Sequence, residues 1–494
     1  MQFINRKLFF TLVLAITFVG CKKIKDVVAD PVLTQNLADI LSSDPTLSKF
    51  SDYVKRTGVD TLLRSSKTFT VWAPNDNALL SLDPAIVADA AKLKAFVLNH
   101  IAFQTFFTRD VQTYIRVPML SGKYNNFTGS KIEDATVLVA DKVVGNGVLH
   151  VIDKPLLVLP NLWEYITSTA SLYLQNGFIS GLNFSSFDPS LATIDSISAL
   201  TGLPVYHPGT GVVIKNTFNE NAFDTRREDK QYTYFIIANA NFTLKADELK
   251  PYYQTSSSTI TDSLDKWNIV KDLIVDTLYS TVASLPNTVL SKFGIPLTIN
   301  PSLIIDSKKV SNGMVYVLSA STTTLASKFT EIRIEGENPA GFSRTDKTGN
   351  INLTRIRKDP VTGLNYTDIY ITATNITGTG VIGFYSYYRL AGMPSMKYNV
   401  YARAVNDFST AAVIQNISVN YVVSDSPPIY TALSRFQYNV PLSTAAGAYN
   451  EVLLGQFTST IFGTLEMRLI QSGVNGVATN TPSVLDYIRL VPVP

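Results

Sequence analysis

One cysteine, Cys21, serves all 494 residues, so no disulfide can form within the chain. The three histidines, His100, His150 and His207, lie far apart and show no metal-ligand spacing. No glycine-rich phosphate loop is present, and no serine sits in a nucleophile-elbow pattern. Acid–base, covalent and metal chemistry therefore lack their usual groups, and the chain is expected not to be an enzyme. Charge is scarce too: 16% of residues are charged and the formal net charge is +3. Arg6 and Lys7 precede the apolar run Leu8 to Val19; without them the balance is 3 − 2 = +1. A near-neutral chain has no electrostatic case for nucleic acid. The apolar run itself is too short to cross a bilayer as a helix.

What the chain does contain is apolar and aromatic. Hydrophobic residues make up 46%, with 24 tyrosines and 26 phenylalanines, enough for real cores and biased toward strands. The length suggests roughly three domains. Residues 1–20 read as an export signal, with Arg6 and Lys7 as the basic end and Phe18-Val19-Gly20 leading into Cys21. This pattern resembles a bacterial lipoprotein signal. It departs from that pattern in having Phe18 where leucine is preferred. The resemblance implies that Cys21 is lipidated and becomes the mature N-terminus. Lys22 and Lys23 come next, with no Asp beside the cysteine, which points to the outer membrane. Residues 21–31 are then a tether.

Two stretches recur. Lys67 to Leu80 (KTFTVWAPNDNALL) returns as Gln231 to Leu244 (QYTYFIIANANFTL), and Asn146 to Asp153 (NGVLHVID) returns as Asn312 to Ser319 (NGMVYVLS). Matching Asn75 with Asn239 gives an offset of 239 − 75 = 164, and Asn146 with Asn312 gives 312 − 146 = 166. Two segments keeping nearly one offset argue for a duplicated domain. Trp72 is expected in a core, with Ile236 as its equivalent. Asn75 is expected at a strand-to-helix corner, with Asn239 as its equivalent. Gly147 is expected to supply positive φ in a turn. His100 and His150 are expected to be hydrogen-bonded structural residues.

The order helix, TVWAPND, LKAFVLNH, NGVLHVID-KP resembles a fasciclin-like domain over residues 32–159. In that family a Tyr-His pair usually closes the middle helix; here Asn99 precedes His100. Residues 160–321 look like a divergent second copy with an insertion near 175–230, which holds Tyr206-His207-Pro208. From 328 to 494 short alternating runs separated by Gly, Pro, Asn and Asp indicate an all-β sandwich. The closing pattern YNEVLLGQF, GTLEMRLIQ, LDYIRLVPV resembles a jelly-roll carbohydrate-binding module of the galactose-binding-like class. The expected fold class is thus multidomain, two α+β domains followed by a β-sandwich.

Strand alternation places Phe384, Ser386 and Tyr388 on one face and Tyr385, Tyr387 and Arg389 on the other. With Phe384 and Val400 inward, Tyr385, Tyr387, Arg389, Asn399, Tyr401 and Arg403 are candidate ligand-binding residues. Aromatic faces suit pyranose C–H groups, and amides or charged groups suit hydroxyls. The bland reading is that these tyrosines cover the sheet or face a neighbour. Glu335 and Glu337 alternate at a strand end and, with Asp486, could share a structural calcium. No other cofactor is expected. The partners expected are a membrane, through the lipid, and a glycan or surface protein. The leading expectation is a surface lipoprotein for adhesion or glycan capture beside a polysaccharide-uptake system. The alternative is an envelope scaffold that binds proteins.

Overall fold

The computed structural model describes residues 31–321, 323–343, 352–371, 385–471 and 482–494. It divides into two compact units, one ending at Pro160 and one running from Asn161 to Pro494. Cys21 and Phe384 lie outside the described residues.

The first unit is built on the strand Phe69–Pro74, buried throughout. β-Branched and aromatic residues favour the extended chain here, and Asn75 stops it by accepting from the Ala78 amide at 2.8 Å. This strand runs parallel to Gly147–Ile152, with Phe69 opposite Gly147, and antiparallel to Ile101–Phe103. They belong to a seven-stranded sheet. Alternation puts Val71 against the helical core of Leu41, Phe50 and Phe96, while Trp72 joins Phe127, Ile132 and Ile152 on the other face. The helices Leu37–Ser43 and Ala90–Leu98 start on side-chain caps: Asn36 accepts from the Asp39 amide, and Asp89 from those of Ala91 and Lys92.

The second unit opens with the same frame. Tyr232–Ile237 runs parallel to Gly313–Leu318, with Tyr232 opposite Gly313. The two asparagines of the repeat do one job. Asn146 Oδ1 accepts from the Leu37 amide at 2.9 Å, and its Nδ2 donates to the Leu63 and Ser65 carbonyls at 2.7 and 3.0 Å. Asn312 Oδ1 accepts from the Leu162 amide at 2.8 Å, and its Nδ2 donates to Thr225 and Arg227 at 2.9 and 3.0 Å. Each thus satisfies a first-turn helix amide that would otherwise lack a partner. Thr70 and Thr233 also match: each hydroxyl donates to a loop carbonyl, Gln104 or Thr277, and accepts from an amide, Phe106 or Tyr279.

These bonds correct the repeat by one residue. Thr70 to Thr233 is 233 − 70 = 163, so Trp72 corresponds to Phe235, not Ile236, and Asn75 to Ala238, not Asn239. A slip of one exchanges the faces of a strand, so the correction matters. It is supported by the rings: Trp72 stacks on His150 at 5.5 Å, and Phe235 on Tyr316 at 6.1 Å. Gly147 has the expected positive φ, +156°, as the chain leaves the turn, but what it shares with Gly313 is a second requirement. A Cβ on them would stand 2.0 Å from the Phe69 carbonyl oxygen and 2.3 Å from that of Tyr232. Close backbone approach, common to both, is what requires glycine there.

The expected insertion is narrower than residues 175–230. The helix Leu174–Gly181 belongs to the core, because Gln175 donates to the Tyr234 hydroxyl and the Phe235 carbonyl and accepts from the Ile237 amide. Beyond Gly181 the chain forms a pair of nested hairpins, Asn183–Phe187 with Val212–Asn216 and Ile194–Ile197 with Pro204–Tyr206.

The rest of the second unit is an antiparallel β-sandwich. One sheet has the order Ile332–Glu335, Tyr487–Val493, Lys397–Arg403, Val452–Thr458. The other has Gly341–Phe342, Tyr385–Met393, Gly463–Gln471, Val413–Asp425, Pro428–Val440. Tyr388, Tyr398, Val400, Ile417, Met467 and Leu490 are buried between them. This core is continuous with that of the second α+β portion. Tyr252 and Tyr253 pack on Phe329 at 4.8 and 6.3 Å, Tyr253 meets Phe462 at 5.4 Å, and Ser395 Oγ donates to the Pro251 carbonyl at 2.8 Å.

Candidate functional site

The alternation expected for Tyr385–Met393 is present: Ser386 and Tyr388 are buried, Tyr385 and Tyr387 half-buried, Arg389 exposed. The register then chooses their neighbours. Tyr387 lies opposite Arg468 and Arg389 opposite Glu466 on Gly463–Gln471. Leu465, Met467 and Leu469 of that strand face the core, which turns Glu466 and Arg468 outward. Arg468 lies 4.8 Å from the Tyr385 ring and 4.3 Å from the Tyr430 ring. Arg389 stands 5.7 Å from Tyr387. Its Nε donates to Glu466 at 3.0 Å, Nη1 to Asp425 at 2.5 Å and Nη2 to the Tyr430 hydroxyl at 3.2 Å. Glu466, 1% exposed, also accepts from Arg468 Nε at 2.8 Å. One outer face thus carries three tyrosines fixed in place by two arginines, which share a buried carboxylate. Burial pushes the Tyr385 hydroxyl pKa up, with Arg468 opposing, so it remains a neutral hydrogen-bonding group.

The other three predicted ligands sit elsewhere. Asn399, Tyr401 and Arg403 are half-buried on Lys397–Arg403, in the opposite sheet. Tyr401 is covered by Arg489 at 4.5 Å, which Glu451 and Glu331 hold at 2.9 and 2.6 Å. Asn399 Oδ1 accepts from Gln456 at 2.6 Å. Arg403 turns to Asp359 at 2.8 Å and to the Tyr366 ring at 4.8 Å. The six residues therefore do not form one site. Alternation fixes a residue's face of a strand, but says nothing about which sheet the strand joins.

The carboxylates expected to share calcium do lie near one another. Asp486 is pushed up to about 7, first by burial, with Arg403 and Arg333 opposing and Glu335 and Glu337 adding to the rise. Glu335, however, is taken by Arg333 at 2.7 Å, and Asp486 Oδ2 lies 3.3 Å from Arg403 Nε. Among the described residues no group of three or more His, Cys, Asp or Glu side chains has the arrangement of a metal site.

His100 and His150 are structural, as expected. Nδ1 of His100 bonds the Phe96 carbonyl at 2.8 Å, and Nε2 accepts from the Leu156 amide at 2.9 Å. Nε2 of His150 bonds the Phe106 carbonyl at 2.9 Å; in the second copy the Tyr316 hydroxyl donates to the equivalent Tyr279 carbonyl at 2.8 Å. His207 is exposed beside Asp195 at 3.1 Å. Tyr430, Glu466, Arg468 and Asp425 are site residues that sequence reasoning misses. Glu466 and Arg468 are legible in Leu-Glu-Met-Arg-Leu, where charged residues alternate with apolar ones.

Residues 45–158 match the family model described as Fasciclin domain. An uncharacterized protein of Synechocystis sp. is 28% identical over 130 residues, which is 25% of this chain and 98% of that protein. Among solved structures, a FAS1 domain pair from the insect cell adhesion molecule Fasciclin I is 14% identical. That alignment has a TM-score of 0.23 and covers 57% of this chain and 98% of that one. A family 35 carbohydrate binding module from Clostridium thermocellum is 14% identical, with a TM-score of 0.20, over 33% of this chain and 99% of that one. A xylan-binding domain from Paenibacillus barcinonensis Xyn10C is 12% identical, with a TM-score of 0.21, over 33% and 95%. The fold class is the expected one, mixed α+β followed by a β-sandwich, with the fasciclin match confined to residues 45–158. No described helix is long and apolar enough to cross a membrane.

Proposed function

We propose that this chain is a non-catalytic surface protein, a tandem fasciclin-like pair carrying a glycan-binding sandwich, held on the outer membrane by lipid on Cys21. The observation that carries the glycan reading is the face of Tyr385, Tyr387 and Tyr430. Its rings are fixed by Arg389 and Arg468 before any ligand arrives, so little side-chain freedom remains to be lost on binding. Such rings suit sugar C–H groups, and the surrounding guanidinium and carboxylate groups suit hydroxyls. Service to a polysaccharide-uptake system is the setting this reading favours. Cys21→Ala should release the protein from membranes, and palmitate labelling that survives the substitution would exclude the anchor.

The glycan reading is tested by affinity gel electrophoresis of the full chain against a panel of soluble polysaccharides. One of them should retard the wild type. Tyr385→Ala with Tyr387→Ala should remove the retardation, while Tyr401→Ala, on the other sheet, should leave it intact. A wild-type chain that ignores the whole panel would shift the reading to the protein-binding envelope scaffold.

A further inference from the structure

The helix Ser258–Val270 buries Thr261, Asp265, Asn268 and Ile269, the spacing of a core-facing stripe. Val270 is buried too, so three of the five buried residues are polar. Thr261 Oγ1 accepts from the Thr255 amide at 2.9 Å, and Asn268 Nδ2 donates to the Leu264 carbonyl at 2.8 Å. Asp265 is different. It is 2% exposed, and its Oδ1 is buried with no hydrogen-bond partner. An unpartnered buried carboxylate oxygen is costly, so its presence in a core stripe needs a reason. In the first copy the residue eight before His100 is Lys92, which is exposed; Asp265 stands eight before Leu273, the equivalent of His100. The acid is therefore not part of the shared frame.

Asp265 borders a cavity of about 480 Å³ between the helices Leu174–Gly181, Asn239–Leu249 and Ser258–Val270. The volume is in the range of small-molecule sites. Its apolar walls are Leu174, Phe178, Phe242 and Ala246. At the rim Lys250 pairs with Asp262 at 2.6 Å, beside Lys266 and Asp247. Lys250 and Lys266 against Asp247, Asp262 and Asp265 leave the lining one cation short, 2 − 3 = −1. Burial raises Asp265 to about 6, with the Lys266 amide and the Lys266 and Lys250 charges opposing and Asp262 adding to the rise.

We propose that this cavity binds a small organic cation, an alkyl or aryl body with one primary ammonium, which places its N–H groups on the Asp265 carboxylate. The apolar body packs on Phe178, Phe242 and Leu174, and the ammonium supplies the missing charge. A neutral ligand of the same shape leaves the carboxylate as bare as before, so the site discriminates by charge. This inference does not depend on the glycan reading.

Titration calorimetry of the full chain with hexylamine, and with hexanol as the neutral match, tests it. Hexylamine should bind at least tenfold more tightly than hexanol at pH 7.5. Its affinity should fall about tenfold at pH 5, where Asp265 takes up a proton. Asp265→Asn should abolish the preference for the amine at an unchanged or higher melting temperature. Asp262→Asn, which breaks the rim pair and removes one lining charge but leaves the buried Asp265 carboxylate in place, should keep a preference for the amine, reduced in size. Equal binding of the two probes, binding of neither, or a preference lost in Asp262→Asn but kept in Asp265→Asn would overturn the proposal.

Discussion

Asn99 in the first α+β domain and Asp272 in the second occupy one position and fasten the outgoing chain by different means. Each precedes the residue whose carbonyl accepts from the central strand, His100 from Trp72 and Leu273 from Phe235. Each accepts from a serine, Asn99 from Ser121 at 2.7 Å and Asp272 from Ser291 at 2.8 Å. Asn99 then uses its amide, donating to the Leu156 and Leu157 carbonyls at 3.1 and 3.2 Å. Asp272 instead accepts from Lys328 Nζ at 2.5 Å, a pair with side-chain exposures of 0% and 5%. An amide can satisfy main chain without introducing charge. A buried carboxylate requires a cation, and Lys328 stands just before the first strand of the sandwich. The second copy has thus turned a neutral fastening into a joint between two folded parts. Burial drives the Lys328 ammonium pKa down, while Asp272 opposes that shift.

Truncation on the two sides should differ most. Asp272→Ala leaves the Lys328 ammonium buried without its counter-charge and should destabilise the second unit by about 3–5 kcal/mol. Asn99→Ala orphans neutral groups and should cost the first unit about 1–3 kcal/mol. Urea unfolding followed by tryptophan fluorescence separates them, since Trp72 reports on the first unit and Trp163 and Trp267 on the second. Equal losses would remove the distinction between the two fastenings.

Acid should separate the units more gently and with opposite signs. Burial lowers His100 to about 4, against its bond to the Phe96 carbonyl. The unfolded chain therefore takes this proton first, and stability that is complete above pH 6.5 is lost as the pH falls toward 4, by about 3 kcal/mol. Leu273 stands in that place in the second copy and cannot titrate. The second unit carries Asp265 and Asp486, raised to about 6 and about 7 by burial. Their penalty is complete above those values and is relieved as the pH falls toward 3.8. Between pH 7 and 5 the melting temperature of the first unit should drop while these two acids push that of the second upward. Parallel shifts in the two transitions would contradict this.

The repeat is legible in the sequence because its strongest elements are polar groups with fixed tasks. Asn146 and Asn312 stand in matching NG pairs, and each clamps the same three backbone groups. The one-residue slip comes from pairing Asn75 with Asn239 by identity. Asn75 caps the turn after its strand, whereas Asn239 bonds Leu172 and Leu174 of a neighbouring segment. Most sandwich strands are legible from alternation. Asn352–Lys358 and Pro428–Val440 are not, because the first is basic and the second alternates cleanly only at Phe436, Tyr438 and Val440. The candidate site is half legible. Tyr385, Tyr387 and Arg389 face out as expected, but their partners come from strands distant in sequence, and only the pairing register reveals them.

The central claim, that two asparagines hold two copies of one frame, is tested most directly by residue-resolved amide hydrogen exchange. Asn146→Ala should speed exchange at the Leu37 amide, and Asn312→Ala should do the same at the Leu162 amide, each raised by at least about tenfold for the roughly 1.4 kcal/mol or more that a lost buried bond costs. An Asn312→Ala chain in which Leu162 keeps its wild-type protection, while Asn146→Ala exposes Leu37, would show that the second asparagine is a sequence echo without the clamping role.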